Sequence, residues 1–196
     1  LFLKDKPVEA IENLNVLSET VLHQFLSFAM RYIYNLIFFS VGHNKVMEGN
    51  LLLDFFRGQE LSVLLKMLER KNDVYSKASC VYLLFIIMQL NYSEDERYYK
   101  FKETLLNSID LFSDYEKSFF LQTILLRTEF GMSGRDHKKY TEESFEIIKY
   151  RLSKNLYKQY PDAPYTSVEY LNPLYIAFIL KDFKWMKDYA ARYLPE

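Results

Sequence analysis

The sequence has few of the residues that build redox sites, metal sites or tight turns. Its 196 residues include one cysteine, three histidines, five glycines and five prolines. A single cysteine, Cys80, excludes an internal disulfide framework and a thiolate zinc cluster, and it favours a reducing compartment. The shortage of glycine and proline leaves little material for hairpin turns. We therefore expect an all-α protein, and a cytoplasmic one.

The chain also lacks an excess of charge of either sign. Its 25 Lys and Arg residues balance 26 Asp and Glu residues, so the formal net charge at pH 7 is -1. Binding to a phosphate backbone or to an anionic membrane needs a positive field, which this composition does not supply. The longest apolar run, residues 78–88, is shorter than the roughly 18 to 20 residues that span a bilayer. We expect neither nucleic acid nor a membrane among the partners.

Core-forming side chains, in contrast, are abundant. Hydrophobic residues make up 49% of the chain and aromatic residues 17%. Disordered proteins lack such residues, and a length near 200 residues is enough to bury a sizeable core. We predict a single domain over residues 1–196. Because the first residue is Leu and not Met, we expect this domain to be a fragment of a longer array.

Apolar residues recur at intervals of three and four, which is the spacing of one helix face. Side-chain caps, acidic first turns, glycine stops and prolines mark where helices begin and end. The predicted helices run from Ser18 to near Gly42, from Ser93 to about Leu111, from Ser113 to Gly131 and from Thr141 to Tyr160, and one starts or restarts at Asn172–Pro173.

Two consecutive helix pairs share a sequence pattern. Residues 75–78 align with residues 115–118 at an offset of 40, and the apolar residues that follow them match as well. The next helices align at an offset of 47, which places Tyr98 and Phe101 on Phe145 and Ile148. A repeated helix–turn–helix of about 40 residues indicates an α-solenoid, in which stacked pairs bury one another's apolar faces.

Both ends of the chain resemble tetratricopeptide-type repeats. Residues 183–195 resemble the second helix of such a repeat closed by Pro195, and residues 8–14 are similar. The middle departs from that pattern, with longer helices and a period other than 34. The C-terminal segment also departs from the family pattern, because Met186 occupies a position where the family has a small residue. The resemblance implies a divergent tetratricopeptide-like fold, a right-handed stack of antiparallel helix pairs that forms an α-α superhelix.

No spacing of reactive side chains predicts a catalytic or a metal site. His23, His43 and His137 have no second His or Cys three or four residues away, so we expect no metal and no cofactor. The apolar context of Cys80 raises the pKa of its thiol and favours core packing over nucleophilic catalysis. We expect a protein that is not an enzyme. The alternatives are an all-α enzyme with a site near the 131–139 loop, or a structural oligomerisation segment.

One polar and aromatic stripe is the candidate binding site. Its members repeat every seven residues on one helix and recur on another at the offset of 40: Tyr75, Tyr82, Gln89, Tyr115, Gln122 and Glu129. One interpretation is the solvated outer face of two helices. The other is a groove wall across adjacent repeats, since solenoids hold extended peptides in this way. We predict a non-enzymatic scaffold that binds another protein or peptide, with possible self-association through terminal repeats.

Overall fold

The residues that the structure describes fold into α-helices and short connections. In this computed structural model they are residues 7–43, 49–90, 95–131, 137–157 and 166–193, with side chains described for 14–36, 49–90, 95–128, 138–157 and 166–193. These ranges contain α1 (Pro7–His43), α2 (Leu51–Arg57), α3 (Leu61–Glu69), α4 (Val74–Leu90), α5 (Asp95–Ser108), α6 (Asp114–Gly131), α7 (His137–Ser153), α8 (Ser167–Ile179) and α9 (Phe183–Tyr193). A 3-10 turn, Ile109–Leu111, follows α5. The all-α class is confirmed.

Two compact units make up the chain, and the division falls between Leu111 and Phe112. In the first unit, α4 packs against α1, α3 and α5. In the second unit, α7 packs against α6 and α8, and α8 packs against α9. Consecutive helices thus form packed pairs within each unit.

Helix α4 forms the centre of the first unit because its sequence has no polar face. Every residue from 78 to 88 is buried, and Leu83, Phe85 and Ile86 are fully inaccessible to solvent. A helix that is apolar on all sides is stable only when other elements surround it. The rings of Phe85 and Phe101 meet edge to face at 5.9 Å and join α4 to α5.

The start of α6 is the predicted one, and a capping box explains it. The backbone N–H of Glu116 donates to Oγ of Ser113, and the backbone N–H of Ser113 donates to the carboxylate of Glu116. These two bonds satisfy N–H groups that a helix end leaves without partners. Helix α6 therefore begins at Asp114 and ends at Gly131, as the sequence indicates. The predicted cap at Ser93 lies outside the described residues.

Three predicted helix starts are wrong. Helix α1 begins at Pro7, and the hydroxyl of Ser18 bonds to the carbonyl of Asn15 inside that helix, so Ser18 caps nothing. Helix α7 begins at His137, one turn before the predicted Thr141. Helix α8 begins at Ser167 because the residue before it, Thr166, forms a capping box, and the predicted Asn172–Pro173 start lies inside the helix.

Left-handed residues end α7 and α8. Asn155 has a φ of 56° and Lys181 a φ of 59°. After each of them, a backbone N–H reaches back five residues, from Leu156 to the Arg151 carbonyl and from Asp182 to the Ala177 carbonyl. This is the Schellman arrangement, which usually has glycine at the left-handed position. It ends α7 at Ser153, before the predicted end at Tyr160, which lies outside the described residues.

Candidate functional site

The structure divides the sequence-predicted stripe between the two units. Tyr75, Tyr82 and Gln89 lie on α4 in the first unit, and Tyr115 and Gln122 lie on α6 in the second. The two outer tyrosines, Tyr75 and Tyr115, are exposed, and both glutamines are half-buried. Tyr82 is only 3% exposed. The side chain of Glu129 lies outside the described residues.

On α4, the stripe packs against α1 through His23. The ring of His23 lies 5.4 Å from the ring of Tyr75 and 5.2 Å from the ring of Tyr82. Its Nδ1 lies 3.2 Å from Oγ of Ser79, which is buried. The structure therefore brings Tyr75 and Tyr82 together in a contact between two helices, and the buried Tyr82 does not lie on a solvated face. The binding role of the stripe stays a prediction.

The contact between His23 and Ser79 is the arrangement closest to a nucleophile and its base among the described side chains. Its surroundings do not suit acyl transfer. Ser79 lies in the middle of α4, where the backbone N–H groups are already bonded within the helix and cannot serve as an oxyanion hole. Ser79 as a whole is only 2% exposed. We interpret this contact as a satisfied polar pair in a helix interface.

On α6, Gln122 belongs to a hydrogen-bond network around a buried arginine. Nη1 of Arg151 donates to Oε1 of Gln122 at 2.7 Å, and Nε donates to the carbonyl of Leu156 at 3.2 Å. Nη2 donates to the carbonyl of Tyr157 at 3.3 Å. Burial lowers the pKa of Arg151. The guanidinium of Arg151 thus links Leu156 and Tyr157, which follow α7, to Gln122 on α6.

The alternative enzyme site near residues 131–139 falls largely outside the described residues. At its edges, the side chains of Lys138 and Lys139 are exposed. The neighbouring end of α6 is buried, and Oγ1 of Thr128 lies 2.6 Å from Oγ of Ser144 on α7. Within the described ranges, no three His, Cys, Asp or Glu side chains come together as a metal site. None of the helices described is both long and apolar enough to cross a membrane.

The sequence did not predict a cavity that the structure shows in the first unit. A cavity of about 650 Å³ opens between the α2–α3 turn, α4 and α5. Its apolar lining, which we call its floor, consists of Phe56, Leu61, Leu65, Leu84, Ile87 and Leu90. A volume of this size and an apolar floor are typical of ligand-binding clefts. We refer to this feature as the α2–α5 cavity.

Gly58 ends α2 between two residues that line this cavity, Arg57 and Gln59. Its N–H donates to the carbonyls of Asp54 and Phe55, and the chain then turns into α3 at Leu61. The turn brings Gln59 and Ser62 to the mouth of the cavity. A glycine between two short apolar segments is a visible signal for such a break. Where this break between α2 and α3 lies relative to α4 and α5 depends on contacts between segments that are distant in the sequence.

Charges of both signs surround the mouth. The charged lining residues are Arg57, Glu60, Glu96, Arg97 and Lys100. Two of these cations also pair with acids beside the cavity, with Lys100 Nζ 2.8 Å from Glu69 and Arg57 Nη1 3.5 Å from Asp54. The mouth therefore has no strong field of one sign, which a site for phosphate or nucleic acid needs.

Comparison with known proteins finds no relative of this chain. No protein-family model, no curated protein and no solved structure matches it.

Proposed function

We propose that the chain is a non-enzymatic helical-repeat module that binds a peptide segment of another protein in the α2–α5 cavity. The observation that carries the proposal is the combination of an apolar floor with a mouth that holds charges of both signs. Apolar side chains of a peptide fit the floor, and its charged side chains meet opposite charges at the mouth. A peptide combines both kinds of group at short range, unlike a phosphate, a nucleic acid or a metal ion.

The size of the cavity suits a short segment. About 650 Å³ lies in the range of small-ligand clefts, so it accepts a few side chains and not a whole protein surface. Helical modules commonly hold peptides through two or three apolar anchors that enter such a groove. Anchors of this kind carry most of the binding energy in protein interfaces. We therefore expect a short apolar motif with acidic and basic neighbours.

The repeat architecture belongs to the same proposal. Helices α4 and α6 begin at Val74 and Asp114, 40 residues apart, which supports the sequence alignment of these two pairs. Each is followed by a helix that packs on it, α5 and α7 respectively. We propose that these pairs are divergent tetratricopeptide-like repeats, arranged as a right-handed superhelix.

A substitution that fills the cavity mouth tests the binding site. Ser62 lines the cavity and is exposed on α3, so Ser62→Trp places an indole at the mouth without disturbing the core. Val63→Trp is the matched control, because Val63 is the next residue of α3, is exposed and does not line the cavity. Circular dichroism and thermal melting establish that both variants keep the fold.

The three intact chains are then used as bait in parallel affinity captures from an extract of the cells that express the protein. The proposal predicts a defined set of proteins that wild type and Val63→Trp retain and that Ser62→Trp loses. If Ser62→Trp retains the same proteins in the same amounts, the cavity is not the binding site.

A further inference from the structure

Helix α8 carries a row of apolar side chains that the described residues of the second unit leave exposed. The row consists of Val168, Leu171, Tyr175 and Phe178, with Ile179 and Phe183 at its edge, and these side chains are 47% to 66% exposed. The opposite face of α8 holds Pro173, Ile176 and Ala177, which are buried. The rings of Phe178 and Phe183 lie 6.3 Å apart, so the row continues onto the start of α9. Soluble surfaces rarely expose so many large apolar side chains side by side.

We propose that the α8 row is a homodimer interface, in which α8 packs against α8 of a second copy of this chain around a twofold axis. Twofold symmetry is the commonest arrangement of soluble oligomers, and it requires a surface that is complementary to itself. The α8 row meets this requirement through its charge, its spacing and its area.

The charge of α8 suits a second copy of the helix and disfavours a strongly charged partner. The only charged residue of the helix is Glu169. Its carboxylate accepts hydrogen bonds from the backbone N–H and the hydroxyl of Thr166 at 2.8 Å and 2.7 Å, so it is held in the capping box at the first turn. Two copies of the row therefore meet without like-charge repulsion. A strongly acidic or basic partner finds no charge to pair with along the row.

The spacing of the row is that of a helix–helix seam. Val168, Leu171, Tyr175 and Phe178 occupy successive first and fourth positions of a seven-residue repeat. Side chains at these positions interdigitate when two helices pack at a small angle, with a β-branched residue and Leu favoured in alternation. A helix of 13 residues is about 20 Å long, which is enough for four such layers.

The exposed area approaches what a stable dimer needs. The three aromatic side chains of the row are each about 60% exposed, and since an aromatic side chain buries about 150 to 250 Å² they contribute roughly 300 to 450 Å². The three aliphatic side chains bring the row to about 600 Å² if each adds roughly 60 to 100 Å². A stable interface buries about 800 Å² on each partner, and polar residues at its edge supply the remainder.

Sedimentation velocity on the intact chain tests the proposal over a range of concentrations. Wild type is expected to dimerise. Tyr175→Glu and Tyr175→Lys each place a charge near the middle of the seam and should raise the dissociation constant at least about tenfold. Val63→Lys is the matched control, because Val63 is also an exposed apolar residue and lies on α3, away from α8 in the sequence. It should dimerise like wild type.

An equimolar mixture of the Glu and Lys variants identifies the symmetry. In a twofold α8–α8 seam the opposite charges attract, so the mixture should form a heterodimer that neither variant forms as a homodimer. A wild type that stays monomeric overturns the proposal, and so does a control that dissociates like the Tyr175 variants. Loss of the dimer without recovery in the mixture also overturns it, because α8 then contacts another surface, such as the exposed Val21 and Phe28 on α1.

Discussion

Oδ1 of Asp73 accepts a hydrogen bond of 2.8 Å from the backbone N–H of Ser76, at the first turn of α4. This bond satisfies one of the N–H groups that the start of a helix leaves without a partner. The hydroxyl and the backbone of Ser76 together lower the pKa of Asp73 below its ordinary value of 3.8. Since α4 is the central helix of the first unit, the cap stabilises more than its own turn.

Asp73→Ala should reduce the free energy of unfolding at pH 7 by about 1 kcal/mol, the usual effect of removing a cap. Because the folded-state pKa of Asp73 lies below the unfolded value, its stabilisation is complete above pH 3.8 and is lost as the pH falls through the folded pKa. Urea unfolding of both proteins at neutral and at acid pH measures the difference. A gap between them that is as large at about pH 2 as at pH 7 would contradict this explanation.

Cys80 should react slowly with thiol reagents while the protein is folded. Burial raises the pKa of its thiol to about 11 from the ordinary 9.0, and the side chain is 6% exposed. At pH 8 the shift alone lowers the thiolate fraction about a hundredfold, and burial blocks access as well. Alkylation followed by mass spectrometry should show little modification in buffer and rapid modification in urea. Rapid modification in buffer would place Cys80 at the surface.

Leu84 and Ile124 are matched core positions of the two sequence repeats, and both are buried. Leu84→Ala and Ile124→Ala should each lower the free energy of unfolding by roughly 2 to 5 kcal/mol, because they leave cavities in packed interiors. Val63→Ala, at an exposed position of α3, is the control and should cost less than about 0.5 kcal/mol. Denaturant unfolding measures all three. Losses below about 1 kcal/mol at both core positions would mean that the repeat register is misassigned.

Tyr82→Ala should destabilise the protein, although the sequence placed Tyr82 on a surface stripe. Its buried ring contacts His23, so we expect a loss of about 3 kcal/mol or more, as for large buried aromatic side chains. Tyr75→Ala removes the neighbouring ring, which is half exposed, and should cost clearly less. Thermal melting of both variants distinguishes them. If Tyr82→Ala melted at the same temperature as wild type, Tyr82 would have to lie at the surface.

The sequence predicts most of the helices because apolar spacing and caps are local signals. Ser113 fixes the start of α6 through a capping box with a residue three positions away. The starts of α1 and α7 were missed because Ser18 and Thr141 look like caps but lie inside longer helices. The end of α7 was missed because the left-handed conformation of Asn155 has no glycine to mark it.

The candidate binding sites were less predictable than the fold because they depend on contacts between segments that are distant in the sequence. The spacing of Tyr75 and Tyr82 is correct for one helix face, but only the structure shows that α1 packs there through His23. The α2–α5 cavity needs segments near Ser62 and Lys100 to meet, which no short motif reveals.

Binding of the captured peptide segment to the purified chain tests the central claim most directly. Titration calorimetry would compare its dissociation constant for wild type, Ser62→Trp and Val63→Trp. If the peptide binds in the α2–α5 cavity, Ser62→Trp should weaken binding at least about tenfold, which corresponds to a loss of about 1.4 kcal/mol of binding free energy. The dissociation constant of Val63→Trp should stay within about twofold of the wild-type value. Equal affinities for the three chains, all of them folded, would contradict the account.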